Sequence, residues 1–212
     1  RIIKTGWSVK YLADNSSHIY IVTKRVMDFV LALGAVVLLS PVLITIALLI
    51  KLDTPGPIFF KQKRIGIHKS HFYIYKFRTM RMDMPTHLLA NPDTYITKVG
   101  KFLRKTSLDE LPQIINILAG QMALIGPRPA LWNQYDLIAE RDKYGANDIL
   151  PGLTGWAQIN GRDELPIEVK AAYDGEYVKR MSFLFDCKCF FGTIACVLKK
   201  EGVVEGGTGT LQ

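Results

Sequence analysis

From Phe29 to Ile50 the chain reads FVLALGAVVLLSPVLITIALLI, 22 residues without a charge. As one α-helix this run rises roughly 33 Å, enough to cross the hydrocarbon core of a bilayer. Its length, and the Lys51 that closes it where a small-residue cleavage site would stand, exclude a secretory signal. A single spanning helix is one reading. Ser40-Pro41, almost midway, points to another. Pro41 has no N–H to offer the Val37 carbonyl and its ring crowds that carbonyl, so the sequence predicts a helix that breaks and turns back. Ser40 would satisfy a carbonyl freed by the break, and each half would rise about 15 Å, to mid-bilayer.

Charge favours the re-entrant form. Arg1, Lys4, Lys10, Lys24 and Arg25 precede the run against Asp14. Lys51, Lys61, Lys63, Arg64, Lys69, Lys76, Arg78 and Arg81 follow it against Asp53. The positive-inside tendency draws both flanks to the cytoplasm, which a straight span forbids and a hairpin permits. Asp28 sits at the mouth of the run with Lys24 at i−4 and Arg25 at i−3. Either these neighbours neutralise it or Lys24 and Arg25 grip a lipid phosphate.

The predicted organisation is a linker or remnant over 1–23, a membrane hairpin over 24–51, a main domain with interfacial helices over 52–204 and a flexible tail over 205–212. Two alternating segments, Ile58–Arg64 and Phe72–Arg78, flank Gly66 and predict a β-hairpin. Helical spacing recurs at Val99–Lys105, Leu111–Leu118, Trp132–Tyr144 and Ile167–Lys179. The apolar segment Phe183–Leu198, interrupted by Asp186 and Lys188, reads as an interfacial or core helix. Helices thus outnumber strands, and the predicted class is α+β: a helix-break-helix membrane element, then a cytoplasmic domain of helices with short β-hairpins.

Lys and Arg (27) outnumber Asp and Glu (19), a net charge of +8, which favours anionic partners. A membrane run beside the basic stretch disfavours nucleic acid and leaves anionic lipid or a phosphorylated substrate. Cys187, Cys189 and Cys196 are odd in number and crowd one segment, so they imply no disulfide framework, and neither they nor the histidines have zinc spacing.

Chemistry concentrates elsewhere. Ser107-Leu108-Asp109-Glu110 heads an apolar helix that Gly120 ends. Ser107 with Glu110 fits a capping box, although taking Asp109 as the cap seats Pro112 better. Either way, two adjacent carboxylates project from a helix start beside Lys101, Arg104 and Lys105. Such a pair can hold Mg²⁺ through hard oxygens, and an ionised Asp can attack phosphorus. In Gly126-Pro127-Arg128-Pro129, two prolines stiffen the backbone around a guanidinium able to fork onto phosphate oxygens.

Taken in order, KRVMDF, the Ser-Pro of the apolar run, YKFRTM at 75–80, SLDELPQIINIL at 107–118, IGPRP at 125–129 and PGLTGWAQINGR at 151–162 resemble the bacterial sugar transferase family. These are the monotopic phosphoglycosyl transferases that initiate glycan assembly on undecaprenyl phosphate. The resemblance covers roughly residues 24–204. It implies transfer of sugar-1-phosphate from a nucleotide-diphosphate sugar to a polyprenyl phosphate at the cytoplasmic face of the bacterial inner membrane. Asp109 would be the nucleophile, forming a phosphosugar intermediate, with Glu110 supporting Mg²⁺. Lys76, Arg78, Arg104, Arg128 and Arg162 would handle substrate, with Asp174 and Tyr177 matching a later Asp-x-x-Tyr. Ser40 and Pro41 would break the membrane helix. The chain departs from the family pattern at Leu150, where many members carry a basic residue. A homo-oligomer is compatible with this reading. The competing expectation is a non-catalytic basic anchor that binds anionic lipid or a partner.

Overall fold

The computed structural model describes residues 15–82, 92–161 and 165–199. Arg162, the predicted tail 205–212 and residues 1–14 of the predicted linker lie outside the described residues.

The first element is a single helix, α1 (Asn15–Asp53), with Pro41 inside it. It starts nine residues before Lys24, so residues 15–23 are helical and continuous with the apolar run. It also runs on through Ser40-Pro41 without interruption, where the sequence predicts a break. The Ser40 hydroxyl donates to Val37 O at 2.8 Å, the carbonyl that proline leaves unpaired, and Thr45 Oγ1 donates to Pro41 O at 2.8 Å. With the freed carbonyl satisfied, the helix continues through its proline, as membrane helices do.

One stripe of α1 is buried. Asp28, Ala32, Ile46 and Ile50 are inaccessible, and Ala35, Val36, Leu39, Leu43 and Ala47 fill the turns between them. This three-to-four spacing places them on one face. The opposite face is bare and apolar: Leu38 is 78% exposed, and Val30, Val37, Ile44 and Leu48 are each more than half exposed. A contiguous apolar face of this extent marks a surface that meets lipid or a partner. Among the described residues α1 is the one helix long and apolar enough to cross a membrane.

The body follows. Strands β1 (Phe59–Ile65) and β2 (His71–Phe77) form the predicted hairpin, in register from Phe59 opposite Phe77 to Ile65 opposite His71. Then come α2 (Lys98–Thr106), a 3₁₀ turn (Leu108–Gln113), α3 (Ile114–Leu118), β3 (Ala123–Ile125) and α4 (Tyr135–Asp142). The chain continues through β4 (Gly152–Thr154), α5 (Trp156–Ile159), α6 (Ile167–Arg180) and α7 (Phe183–Lys199). Strands β3 and β4 pair in parallel, Ala123 with Gly152 and Ile125 with Thr154. They are therefore not a second hairpin; the crossover carries α4. The two backbones meet so closely that a Cβ on Gly152 would lie 2.1 Å from Gly126 N, which explains the glycine in both segments.

Two core clusters run from α1 into the body: Ala32 with Phe72, Ile74, Ile114, Ile117 and Met122, and Ile46 and Ile50 with Phe77 and Leu103. Polar side chains pin both ends of α1 to that same body. Arg25 donates to Ile117 O at 2.8 Å and Met122 O at 3.2 Å, and Lys24 Nζ lies 2.8 Å from Asp186 Oδ2 and 3.8 Å from Asp28 Oδ2. Lys24 and Arg25 are thus engaged by the body, and Lys24 lies beside Asp28 as the neutralising reading expects. At the other end Arg78, 3% exposed, donates through Nη2 to Thr54 O at 2.6 Å and through Nη1 to Pro55 O at 2.9 Å. A guanidinium there meets carbonyls that a helix C-terminus leaves without partners.

Candidate active site

Asn116 fastens the outer edge of β2. A two-stranded hairpin leaves the outer edge of β2 unpaired, and buried backbone groups need partners. Asn116, with no exposure, supplies them: its Oδ1 accepts from Tyr75 N at 3.1 Å and its Nδ2 donates to Tyr73 O at 2.8 Å. One side chain substitutes for a third strand and locks β2 to α3. Lys76, the next residue, is thereby aimed at the 3₁₀ turn.

That turn carries the carboxylates. Thr97 Oγ1 caps α2 by accepting from Gly100 N at 2.9 Å, and Thr97 N donates to Thr79 O at 3.0 Å. The helix sits so close to β2's exit that a Cβ on Gly100 would lie 2.1 Å from Thr79 O. Arg104, one face further along α2, then donates its Nε to Thr79 Oγ1 at 3.0 Å. Ser107 ends α2 at φ 56°, ψ 16°, a left-handed conformation that reverses the chain into Leu108–Gln113. Its hydroxyl makes no cap bond, so the predicted capping box is absent, and Asp109 and Glu110 lie within the 3₁₀ turn rather than at a cap.

Lys76 Nζ stands 2.8 Å from Glu110 Oε1 and 3.9 Å from Asp109 Oδ2. Arg128 forks onto Glu110, Nη2 to Oε1 at 2.6 Å and Nη1 to Oε2 at 3.2 Å. Its position follows from both flanks: Gly126 N donates to Thr154 O at 2.8 Å and Arg64 Nη1 to Pro129 O at 3.0 Å. The neighbouring carboxylates diverge in character. Desolvation pushes the Asp109 carboxyl above its ordinary range, against the opposing pull of Lys76 and Arg104. Glu110 is also desolvated, but Arg128 and Lys76 outweigh the burial and hold it far below the usual carboxylate range. One carboxylate is a fixed anion between cations, and its neighbour is a poorly solvated one, more basic than an ordinary Asp and lacking close partners as short as those of Glu110.

Among the described residues no group of three or more His, Cys, Asp or Glu side chains could hold a metal ion. Asp109 and Glu110 would be the carboxylates to hold a Mg²⁺, which also takes waters and substrate phosphate oxygens, but both Glu110 oxygens are engaged by Arg128 and Lys76.

Sequence expectations divide here. Lys76, Arg104, Asp109, Glu110 and Arg128 converge. Arg78 does not join them; its guanidinium is spent on the end of α1. Asp174 is 1% exposed and bound to Arg141 (Nη2 to Oδ2 2.6 Å), fastening α6 to α4 and leaving no oxygen turned to substrate. Tyr177 is equally buried, and its hydroxyl donates to Asp186 Oδ1 at 2.7 Å. Asp186, first met as an interruption of an apolar segment, is the acceptor that gathers Tyr20, Lys24 and Tyr177. Asn116 was also missed; only its place five residues after Leu111, opposite a strand edge, distinguishes it.

A family model described as bacterial sugar transferase matches residues 19–200, which include every element of this site. The chain belongs to that family. The transferase is 38% identical over 186 residues to the uncharacterized sugar transferase EpsL of Bacillus subtilis, covering 87% of this chain and 91% of that one. It is 43% identical to a UDP-glucose:undecaprenyl-phosphate glucose-1-phosphate transferase of Escherichia coli, covering 81% of this chain and 39% of the relative. Against a UDP-N-acetylgalactosamine-undecaprenyl-phosphate N-acetylgalactosaminephosphotransferase of Aeromonas hydrophila the identity is 39%, over 88% and 46%. The transferase therefore spans less than half the length of these two larger relatives, and nearly all of EpsL. It is an enzyme of the sugar-phosphate transferase class.

Proposed function

We propose that this transferase moves sugar-1-phosphate from a UDP-sugar to undecaprenyl phosphate through a covalent intermediate on Asp109, the first membrane step of polysaccharide or glycoconjugate synthesis. The observation that carries it is the contrast within one turn: a desolvated Asp109 beside a Glu110 fixed between Lys76 and Arg128. An anionic nucleophile needs neutralised phosphates to approach phosphorus, and the two cations with Arg104 supply that neutralisation. An Asp109 oxygen attacks the β-phosphorus, and the bond from that phosphorus to the bridging oxygen breaks, releasing the nucleoside monophosphate. An oxygen of the acceptor phosphate then attacks the same phosphorus and Asp109 leaves as a carboxylate. Held by Asp109 and Glu110, Mg²⁺ would supply further charge neutralisation at the diphosphate. Relatives named for glucose and for N-acetylgalactosamine align with this chain at similar identity, so what they share with it serves the phosphate chemistry rather than the choice of sugar.

Both ends of α1 are fastened to one body, by Lys24 and Arg25 at one end and Arg78 at the other. That supports a monotopic arrangement in which both flanks stay on the cytoplasmic face while the bare side of α1 sits in lipid. The test of the chemistry is direct. Purified protein given UDP-sugar labelled at the β-phosphate should retain label and release UMP without acceptor. Asp109→Asn should do neither, its transfer falling at least about 10³-fold. Labelled Asn variant, or near-normal turnover from it, overturns the assignment.

A further inference from the structure

Between the edge of α1's buried stripe, at Val36, Leu43 and Ala47, and the 3₁₀ turn lies a cavity of about 220 Å³. Its walls come from α1 (Ile44, Ala47), the β-hairpin (Phe59, Phe77), the 3₁₀ turn (Leu111, Pro112) and α3 (Ile115). Every side chain lining it is apolar. It opens outward, since Ile44 is 61% exposed and Phe59 and Ile115 nearly half. We propose that this groove seats the first isoprenyl unit of the polyprenyl-phosphate acceptor and so delivers its phosphate to Asp109. The inference rests on the reaction given above and names where that reaction's lipid is held.

Three observations select this occupant. The walls offer no polar group, so a nucleotide base, a sugar or a diphosphate would lose its hydrogen bonds there. The inner end of the groove, Pro112, stands three residues along a 3₁₀ turn from Asp109, a rise of roughly 6 Å. A hydrocarbon bonded directly to a phosphate fits that separation, whereas a phospholipid's acyl chain is set off from its phosphate by an ester and a glycerol carbon. Size agrees as well. An enclosed apolar cavity of about 150 Å³ takes one benzene, so about 220 Å³ has room for a branched five-carbon unit, and the open side lets the chain run on. The remaining units would run outward over the bare face of α1, beginning at Ile44 and Leu48.

Filling the groove tests this. In the full-length protein in detergent or phosphatidylglycerol vesicles, Ile115→Trp and Ile44→Trp should each raise KM for undecaprenyl phosphate at least tenfold. The size of the UMP burst measured without acceptor reports folding and the first chemical step. Leu38→Trp, on the same helix but outside the groove, should leave the acceptor KM within twofold. Equal KM for all three variants and the unaltered protein overturns the inference, as does an increase for Leu38→Trp matching the others, which would mean general disturbance of the membrane face. In a second arm, a diazirine placed on the first isoprenyl unit should label the peptide carrying Leu111 to Ile115, and unlabelled undecaprenyl phosphate should suppress it. Suppression by phosphatidylglycerol alone would assign the groove to bulk lipid and overturn the proposal. A missing UMP burst in the unaltered protein would instead refute the reaction itself.

Discussion

At the scale of single residues, Asp109 is held in a state that costs the fold. Its carboxyl lies above the ordinary range because burial strips its water. A raised folded value means the ionised form is disfavoured in the native state, so this group's contribution to stability declines as pH rises from the unfolded value through the folded one. Glu110 has the opposite sign. Its folded value is depressed, so the stability it contributes is complete above its unfolded value near 4.3 and is lost as pH falls toward the folded one. Two outcomes follow for protein kept in EDTA. Asp109→Asn should melt higher than the unaltered chain at pH 7, and the difference should shrink as the pH is lowered toward 4. Added Mg²⁺ should raise the melting temperature of the unaltered chain and leave the Asn variant where it was; calorimetry checks both. Equal melting temperatures at pH 7 would show that Asp109 is not desolvated. The residue types at 107–110 were readable in the sequence as carboxylates at a helix start. The left-handed Ser107 that turns them inward was not, because Ser seldom adopts that conformation and nothing in its neighbours announces it.

Elements show a second kind of misreading. Arg78 lies in the same run as Lys76, YKFRTM, and by charge alone the two are equivalent. The structure separates them by where β2 exits: Lys76 faces the carboxylates, and Arg78 reaches the carbonyls of Ile50, Thr54 and Pro55. A single ammonium cannot replace a fork that meets several oxygens at once. Arg78→Lys should therefore destabilise the protein by about 2 kcal/mol, read as a lower denaturant midpoint, without abolishing label retention on Asp109. Loss of the label with an unchanged midpoint would return Arg78 to substrate handling. Helix α1 illustrates the same limit. The sequence correctly marked its apolar run, its proline and the carbonyl that Ser40 satisfies. It did not reveal that the helix carries on, since the same Ser40 bond serves a broken helix and a continuous one. The hairpin, α2, α6 and α7 were legible because their periodicities are strong; the parallel β3–β4 pair, three residues on each side, was too short to show one.

For the whole molecule, the arrangement of α1 sets the topology. Single cysteines introduced at Val22 and Leu52, both largely exposed, in a background without the native three should react with an impermeant maleimide from the same side of inverted membrane vesicles. Reaction from opposite sides would contradict a body that grips both ends of one helix. The composition already indicated a basic protein beside lipid, yet it presented the apolar run as an anchor attached to a separate domain. The structure joins the two: Ala32, Ile46 and Ile50 are as deeply buried as Ile74, Phe77 and Leu103, which they touch. A truncation that begins at Lys51, intended to yield a water-soluble fragment, would strip the cover from Phe72 and Phe77, remove the Ile50 carbonyl from Arg78 and cut away the helix that presents Thr54 and Pro55 to it. Such a fragment should aggregate on expression, so this transferase has to be handled in amphiphile from ribosome to assay.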